Sequence, residues 1–201
     1  MDKNSYALGM SIAHNMKSSG VKDVAFEDFV AGIKAVLNDE QPAVSFEEAG
    51  KLLDKYFADI EKQQKAEMEA MGAAMKQEGE EFLAENAKKE GVHRTPSGLQ
   101  YKVIAEGAGR KPKATDKVKC HYCGTFINGS KFDSSYDRNE PAVFGLNQVI
   151  PGWTEGLQLM AEGAKYEFYI PYKLGYGEHG APGAIPPYST LIFTVELLEV
   201  L

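Results

Sequence analysis

Two cysteines in 201 residues leave no disulfide framework to hold this fold. No apolar run approaches the roughly 18 residues that a membrane-spanning helix needs, so no membrane partner is expected. Positive charge is also short. Lys and Arg number 22 against 29 Asp and Glu, and the net charge is −7. A chain without a basic excess is not expected to bind nucleic acid. The opening MDKNSYALGMSIAHNM lacks the basic start and apolar core of a secretory signal. The chain as written is therefore expected in the cytoplasm, or in the periplasm had a leader been removed. No tandem repeat is visible.

Proline is nearly missing from the first half, and this absence divides the chain. Only Pro42 precedes Pro96, whereas eight of the nine prolines follow residue 95. Six of the seven methionines lie before that point. Residues 1–95 carry 12 Lys/Arg against 18 Asp/Glu, and residues 96–201 carry 10 against 11. Such a shift marks two regions of different structure.

The first region reads as helical. Leu8, Ile12 and Met16 recur every four residues, with Gly9 and Ala13 beside them. Asp23 is placed to cap a second helix carrying Phe26, Phe29, Val30, Ile33 and Leu37. After Pro42, Ser45-Phe46-Glu47-Glu48 has the capping-box pattern. Lys88, Lys89 and Gly91 mark the expected end. The spacing predicts one helix of about 45 residues, near 68 Å at ~1.5 Å per residue. Its apolar positions, Phe46, Ala49, Leu53, Tyr56 and Ile60, shift register after Lys62 to Lys65 and resume at Met68, Met71, Met75 and Phe82. Gly72 and Gly79 each cost about 1 kcal/mol inside a helix, so bending is expected there.

The second region reads as β. Leu99, Tyr101 and Val103 alternate with polar residues, as do Val118, Cys120 and Tyr122. Tyr166, Phe168 and Ile170 follow, then Leu191, Phe193, Val195 and Leu197. A short helix is expected over 153–159, after Pro151-Gly152. One helix against five or six antiparallel strands is an α+β arrangement. Cys120 and Cys123 form a CxxC, but positions three apart on a strand face opposite ways, so neither a redox pair nor a metal site is expected. His14, His93 and His179 show no ligand spacing.

The segments HYCGTFINGSKFDSSYDRNEPAVFGLNQVIPGWTEGLQLM and IPYKLGYGEHGAPGAIPPYSTLIFTVELLEVL resemble the FKBP-type peptidyl-prolyl cis-trans isomerase domain from end to end. The first half resembles the N-terminal dimerisation module of bacterial FKBP proteins of the macrophage-infectivity-potentiator-like group. Together they are similar to its small cytoplasmic members. The resemblance implies an all-α dimerisation domain over 1–44, a long connecting helix over 45–96, and an antiparallel sheet wrapped on a short helix over 97–201. It implies no cofactor and no metal.

By the same resemblance, Trp153 forms the floor of a proline pocket. Its walls are Tyr122, Phe132, Phe144, Val149, Ile150 and Phe193. Tyr176 offers its hydroxyl to the substrate carbonyl, the Ile150 N–H is a second donor, and Ala184 and Ile185 close over the substrate. Strand parity independently sets Tyr122 with Val118 and Cys120, and Phe193 with Leu191, Val195 and Leu197. Asp133 falls among these aromatics, where a carboxylate needs a partner, and Arg138 is the expected one. The pair serves either the reaction or the structure alone. Cys123 stands where the family commonly has Thr, and Ala184 is smaller than the branched residue often found there.

The implied function is rotation of X–Pro bonds in folding protein clients, non-covalently and with sensitivity to macrolides of the tacrolimus type. The alternative is a chaperone that holds unfolded chains between the arms of a dimer, its isomerase activity incidental. Met68, Met71 and Met75 suit such an adaptable surface or ordinary packing. The first ~42 residues cannot form a core alone, yet Phe26, Phe29, Val30, Ile33, Val36 and Leu37 need burial. A homodimer resolves this, and the resemblance implies the same.

Overall fold

The computed structural model describes residues 1–201, which divide into two compact units, Met1–Glu69 and Ala70–Leu201. The boundary falls inside the longest helix.

The first unit holds α1 (Lys3–Ser18), α2 (Phe26–Leu37) and the start of α3 (Phe46–Asn86). Asp2 caps α1 by accepting the Ser5 N–H at 2.7 Å. Asp23 does not cap α2. That helix begins later than expected, with Ala25 at its cap position and no side-chain bond there. Glu27 and Asp28 fill its first turn instead, where negative charge suits the helix dipole. Ser45 caps α3 as its motif predicts, accepting the Glu48 N–H at 3.2 Å. No residue of α1 or α2 is buried within the chain. Phe26 and Leu37 are each 76% exposed.

α3 runs unbroken for 41 residues through the polar stretch at Lys62–Lys65 and ends at Asn86, five residues before Gly91. Its only buried residues are Gly72, Gly79 and Asn86, at seven-residue spacing on one face. The two glycines are sites of close approach. A Cβ on Gly72 would lie 2.9 Å from the Tyr188 ring, and one on Gly79 would lie 2.4 Å from Thr190 Oγ1. Asn86 donates to Gln100 Oε1 at 3.0 Å, and Gln100 donates to the Leu83 carbonyl at 2.8 Å. No helix of the chain is long and apolar enough to cross a membrane.

The second unit carries a seven-stranded antiparallel sheet rather than five or six strands. The strands are β1 (Val92–Arg94), β2 (Gln100–Ala105), β3 (Lys117–Phe126), β4 (Lys131–Ser134), β5 (Ala142–Gly145), β6 (Lys165–Ile170) and β7 (Leu191–Val200). They are ordered β1-β2-β6-β7-β3-β4. β5 pairs with the first half of β3 and β4 with its second half. The three-residue β1 and the four-residue β4 and β5 are too short to show an alternating pattern of their own. The predicted parity holds. Val118, Cys120 and Tyr122 on β3 and Leu191, Phe193, Val195 and Leu197 on β7 all enter one core. α4 (Pro151–Leu157) starts and ends two residues before the expected span, because Pro151 itself occupies the first turn. Trp153 and Leu157 point from it into the core.

Candidate active site

Sequence alternation sends Tyr122 and Phe193 inward from the central strands β3 and β7, and α4 delivers Trp153 to meet them. The indole takes three rings edge-on. Tyr122 stands at 5.2 Å between centroids and 85°, Phe144 at 5.4 Å and 86°, and Phe193 at 5.2 Å and 84°. Such edge-to-face pairs contribute about 0.5–1.5 kcal/mol each beyond burial. Phe132 on β4 extends the cluster, meeting Phe193 at 5.4 Å. Gly124 on β3 makes room for this. A Cβ there would lie 2.6 Å from Phe132 and 2.8 Å from Phe193, so any side chain must displace a ring.

These rings enclose a cavity of about 650 Å³. Val149 and Ile150 line it just before α4. The Ile150 carbonyl accepts the Trp153 and Thr154 N–H groups, whereas its own N–H has no backbone acceptor in the chain. Across the cavity, Tyr176 and Ile185 approach from the loop that follows β6, with Ala184 at its exposed edge. Ile185 is buried, held by a two-way backbone bridge to Ala181 at 2.8 Å each way. Every residue expected at the pocket lines this one cavity. Gln148 and Ala181 line it as well and were not foreseen. Gln148 precedes the motif's apolar pair, and Ala181 is indistinguishable from loop spacer in the sequence.

Asp133 meets its expected partner, and a third group joins them. The Tyr122 hydroxyl donates to Asp133 Oδ2 at 2.5 Å. Arg138 donates to Asp133 Oδ1 at 2.5 Å and to the Tyr122 oxygen at 2.8 Å. Burial alone would raise the Asp133 carboxyl, but the hydrogen bonds from Tyr122 and Arg138 outweigh it and hold the group below its ordinary 3.8. Burial and the Asp133 carboxylate push the Tyr122 hydroxyl up, with Arg138 opposing them. Ser135, buried and unforeseen, fixes the aromatic's backbone. Its hydroxyl accepts the Tyr122 N–H at 2.8 Å and donates to the Tyr122 carbonyl at 3.2 Å.

The triad stabilises the fold within a definite pH window. Asp133 has a lowered folded value, so its contribution is complete above 3.8 and disappears as pH falls through the folded value. Tyr122 has a raised folded value, so its contribution is complete below 10.0 and disappears as pH rises through the folded value. The difference in Tm between wild type and Asp133→Asn is therefore expected to stay constant from about pH 5 to 9 and to shrink on further acidification. Thermal unfolding checks this, and a difference that grows below 3.8 contradicts it. The difference should be modest, since the Arg138 and Asp133 side chains are 50% and 41% exposed and water screens them.

The CxxC thiols are not a pair. Cys120 is in the core, where burial pushes its thiol up to about 12, and Cys123 faces the other side of β3. The site thus offers rings, a neutralised carboxylate and hydroxyl groups, with no base positioned on a nucleophile.

Known proteins share both halves of this architecture. The family profile described as FKBP-type peptidyl-prolyl cis-trans isomerase matches residues 108–198. The profile for the domain amino terminal to that isomerase matches residues 1–103. The chain is 48% identical over 205 residues to the FKBP-type peptidyl-prolyl cis-trans isomerase FkpA of Aeromonas hydrophila, covering 99% of this chain and 76% of that one. It is 46% identical over 197 residues to the FKBP-type 22 kDa peptidyl-prolyl cis-trans isomerase of Escherichia coli K12, covering 98% and 94%. The crystal structure of FkpA from Escherichia coli superposes with a TM-score of 0.81 at 39% identity, covering 98% of this chain and 95% of that one.

Proposed function

This chain belongs to the family of FKBP-type peptidyl-prolyl cis-trans isomerases, and we propose that its aromatic cavity is where it rotates the X–Pro bonds of protein clients. The observation that carries this reading is the Trp153 face, framed edge-on by three rings in a cavity large enough for a prolyl residue.

Amide resonance sets a barrier of about 18–20 kcal/mol to this rotation. Unaided, the bond turns over in about 10–100 s at room temperature. The twisted amide has lost resonance and with it part of the carbonyl's charge separation. Water stabilises the planar form more than the twisted one, so a dry apolar pocket favours the transition state without a nucleophile. Trp153 carries the proline ring on its face. Tyr122, Phe132, Phe144, Val149, Ile150 and Phe193 exclude water around it. The free N–H of Ile150 and the hydroxyl of Tyr176, a residue 42% exposed at the rim, hold the flanking carbonyls. Arg138 neutralises Asp133 so that the carboxylate can stand beside the rings, and Ala184 and Ile185 cover the substrate. Macrolides of the tacrolimus type occupy the same cavity.

The proposed organisation is a dimerisation domain over 1–44, a connecting helix over 45–96 and the isomerase domain over 97–201. A homodimer is supported by the bare apolar faces of α1 and α2, which line a groove of about 740 Å³ through Ile12, Met16, Phe26, Phe29, Val30 and Ile33. A cytoplasmic location belongs with these proposals. Fractionation of the source cells tests it, since release with the periplasmic contents would overturn it.

The functional reading is tested by two assays on the full chain. Losing Phe193 (Phe193→Leu) should slow the catalysis of a proline-limited refolding reaction by about tenfold or more. Suppression of aggregation is then measured beside it. Refolding catalysis unaffected by Phe193→Leu would mean that the proposed site is wrong, and aggregation suppression by a wild type that does not catalyse refolding would make the chain a holdase.

A further inference from the structure

Helix α3 does not end at the edge of the isomerase unit; its last turns lie against the loop that covers the cavity, and the two glycines buried there have a specific counterpart. The loop between β6 and β7 carries Tyr176, Ala181, Ala184 and Ile185 to the cavity. Its neck is drawn together by backbone bonds. Gly177 N–H donates to the Tyr172 carbonyl at 2.9 Å, and Tyr188 N–H donates to the Gly177 carbonyl at 3.1 Å. Tyr188 holds this place in a left-handed conformation, at φ 56°, which a bulky residue adopts only when its surroundings enforce it. Two contacts hold its ring. It meets Tyr172 at 5.1 Å and 63°, and it lies where a Cβ on Gly72 would come within 2.9 Å of it. Lys76, one turn on from Gly72, holds its ammonium 6.0 Å from the Tyr172 ring. The next glycine of the stripe, Gly79, receives Thr190 just beyond the neck.

We propose that Tyr188 is a positioning residue for the isomerase reaction, and that α3 acts on the cavity by seating its ring at Gly72. Tyr188 does not touch substrate. It closes the neck one residue from Tyr176, so the hydroxyl and the Ile185 cover are already ordered when substrate arrives. Without the seat, the ordering of the loop falls on the binding step. The cost appears in substrate affinity rather than in the rotation itself. This inference rests on the active-site reading above, and it deepens that reading by adding a residue outside the cavity.

The test uses the full chain and steady-state kinetics on a proline peptide. Tyr188→Ala should raise KM about tenfold with kcat within about twofold, since a lost ordering contact weakens ground state and transition state alike. Tyr188→Phe keeps the ring and should match wild type. Gly72→Ala removes nothing from any core and improves helix propensity by about 1 kcal/mol. Its Cβ nevertheless enters the ring's place, so KM should rise again. In a Tyr188→Ala background Gly72→Ala should have no further effect, because the two act through one contact. A merely structural role would instead lower the active fraction, and so the apparent kcat, at unchanged KM. Wild-type KM in both Tyr188→Ala and Gly72→Ala overturns the proposal. A rise in Tyr188→Ala alone removes α3 from it. If Tyr188→Ala does not fold, Gly72→Ala decides the matter alone. An inactive wild type would overturn the active-site reading instead, so the two failures are distinct.

Discussion

Replacing Trp153 with leucine is expected to lower kcat/KM on a proline peptide by about 10- to 100-fold while the chain stays folded. The magnitude follows from what the indole does. It is almost wholly buried, and three aromatic rings meet it at 84–86°. Leucine keeps apolar bulk but loses the flat face on which a proline ring lies, and it loses the edge-to-face contacts that hold Tyr122, Phe144 and Phe193 upright. Forfeiting about 1–3 kcal/mol of transition-state binding corresponds to that range of rate. Leucine is the informative replacement. Alanine at a buried tryptophan costs about 3–5 kcal/mol of stability, and unfolding would then mimic inactivation. The measurement is a peptide isomerisation assay beside a thermal unfolding curve. A folded Trp153→Leu with wild-type kcat/KM would mean that the cavity is not where the bond turns.

Replacing Ile33 with glutamate is expected to dissociate the proposed homodimer. α1 and α2 bury none of their apolar residues within one chain, and Ile33 lines the groove between them. At a paired interface each carboxylate would lose its water without gaining a partner, a cost of several kcal/mol. Two symmetric copies double it, so Kd should rise by a hundredfold or more on the order-of-magnitude scale of 1.4 kcal/mol per tenfold. Sedimentation at micromolar concentration should find wild type at twice the 22.0 kDa chain mass and Ile33→Glu at the chain mass. Peptide isomerase activity per chain should persist, because every residue lining the cavity lies between Tyr122 and Phe193. A wild type that sediments as a monomer contradicts the dimer.

What could be read from the sequence had a local signature. Period-two alternation set Tyr122 and Phe193 on inward faces without knowledge of their neighbours in the sheet. The Ser45 capping box began α3 where the structure begins it. The cavity residues were legible through resemblance, since alternating aromatics alone describe any core. Other features depend on partners distant in the chain. Gly72 and Gly79 suggested bending, because helix propensity says only what a glycine costs. Their reason lies more than a hundred residues away, at Tyr188 and Thr190. Ser135 looked like any loop serine, and its two hydrogen bonds to the Tyr122 backbone exist only once β3 and the segment after β4 are paired. Asp23 had the right chemistry for a cap, but the chain stays extended through Ala25 before the helix starts, beyond the reach of its side chain.

One apolar aromatic cavity, floored by Trp153, is the proposed seat of prolyl rotation without covalent chemistry. The chain has a single tryptophan, so its fluorescence reports directly on the floor of the cavity. A tacrolimus-type macrolide is titrated into the full chain while peptide isomerase activity and tryptophan fluorescence are recorded together. Activity is expected to fall to the uncatalysed rate as the emission of Trp153 changes, both in the same proportion and both complete at one macrolide per chain. Absence of isomerase activity, or activity that persists while the macrolide saturates the fluorescence change, would contradict this assignment.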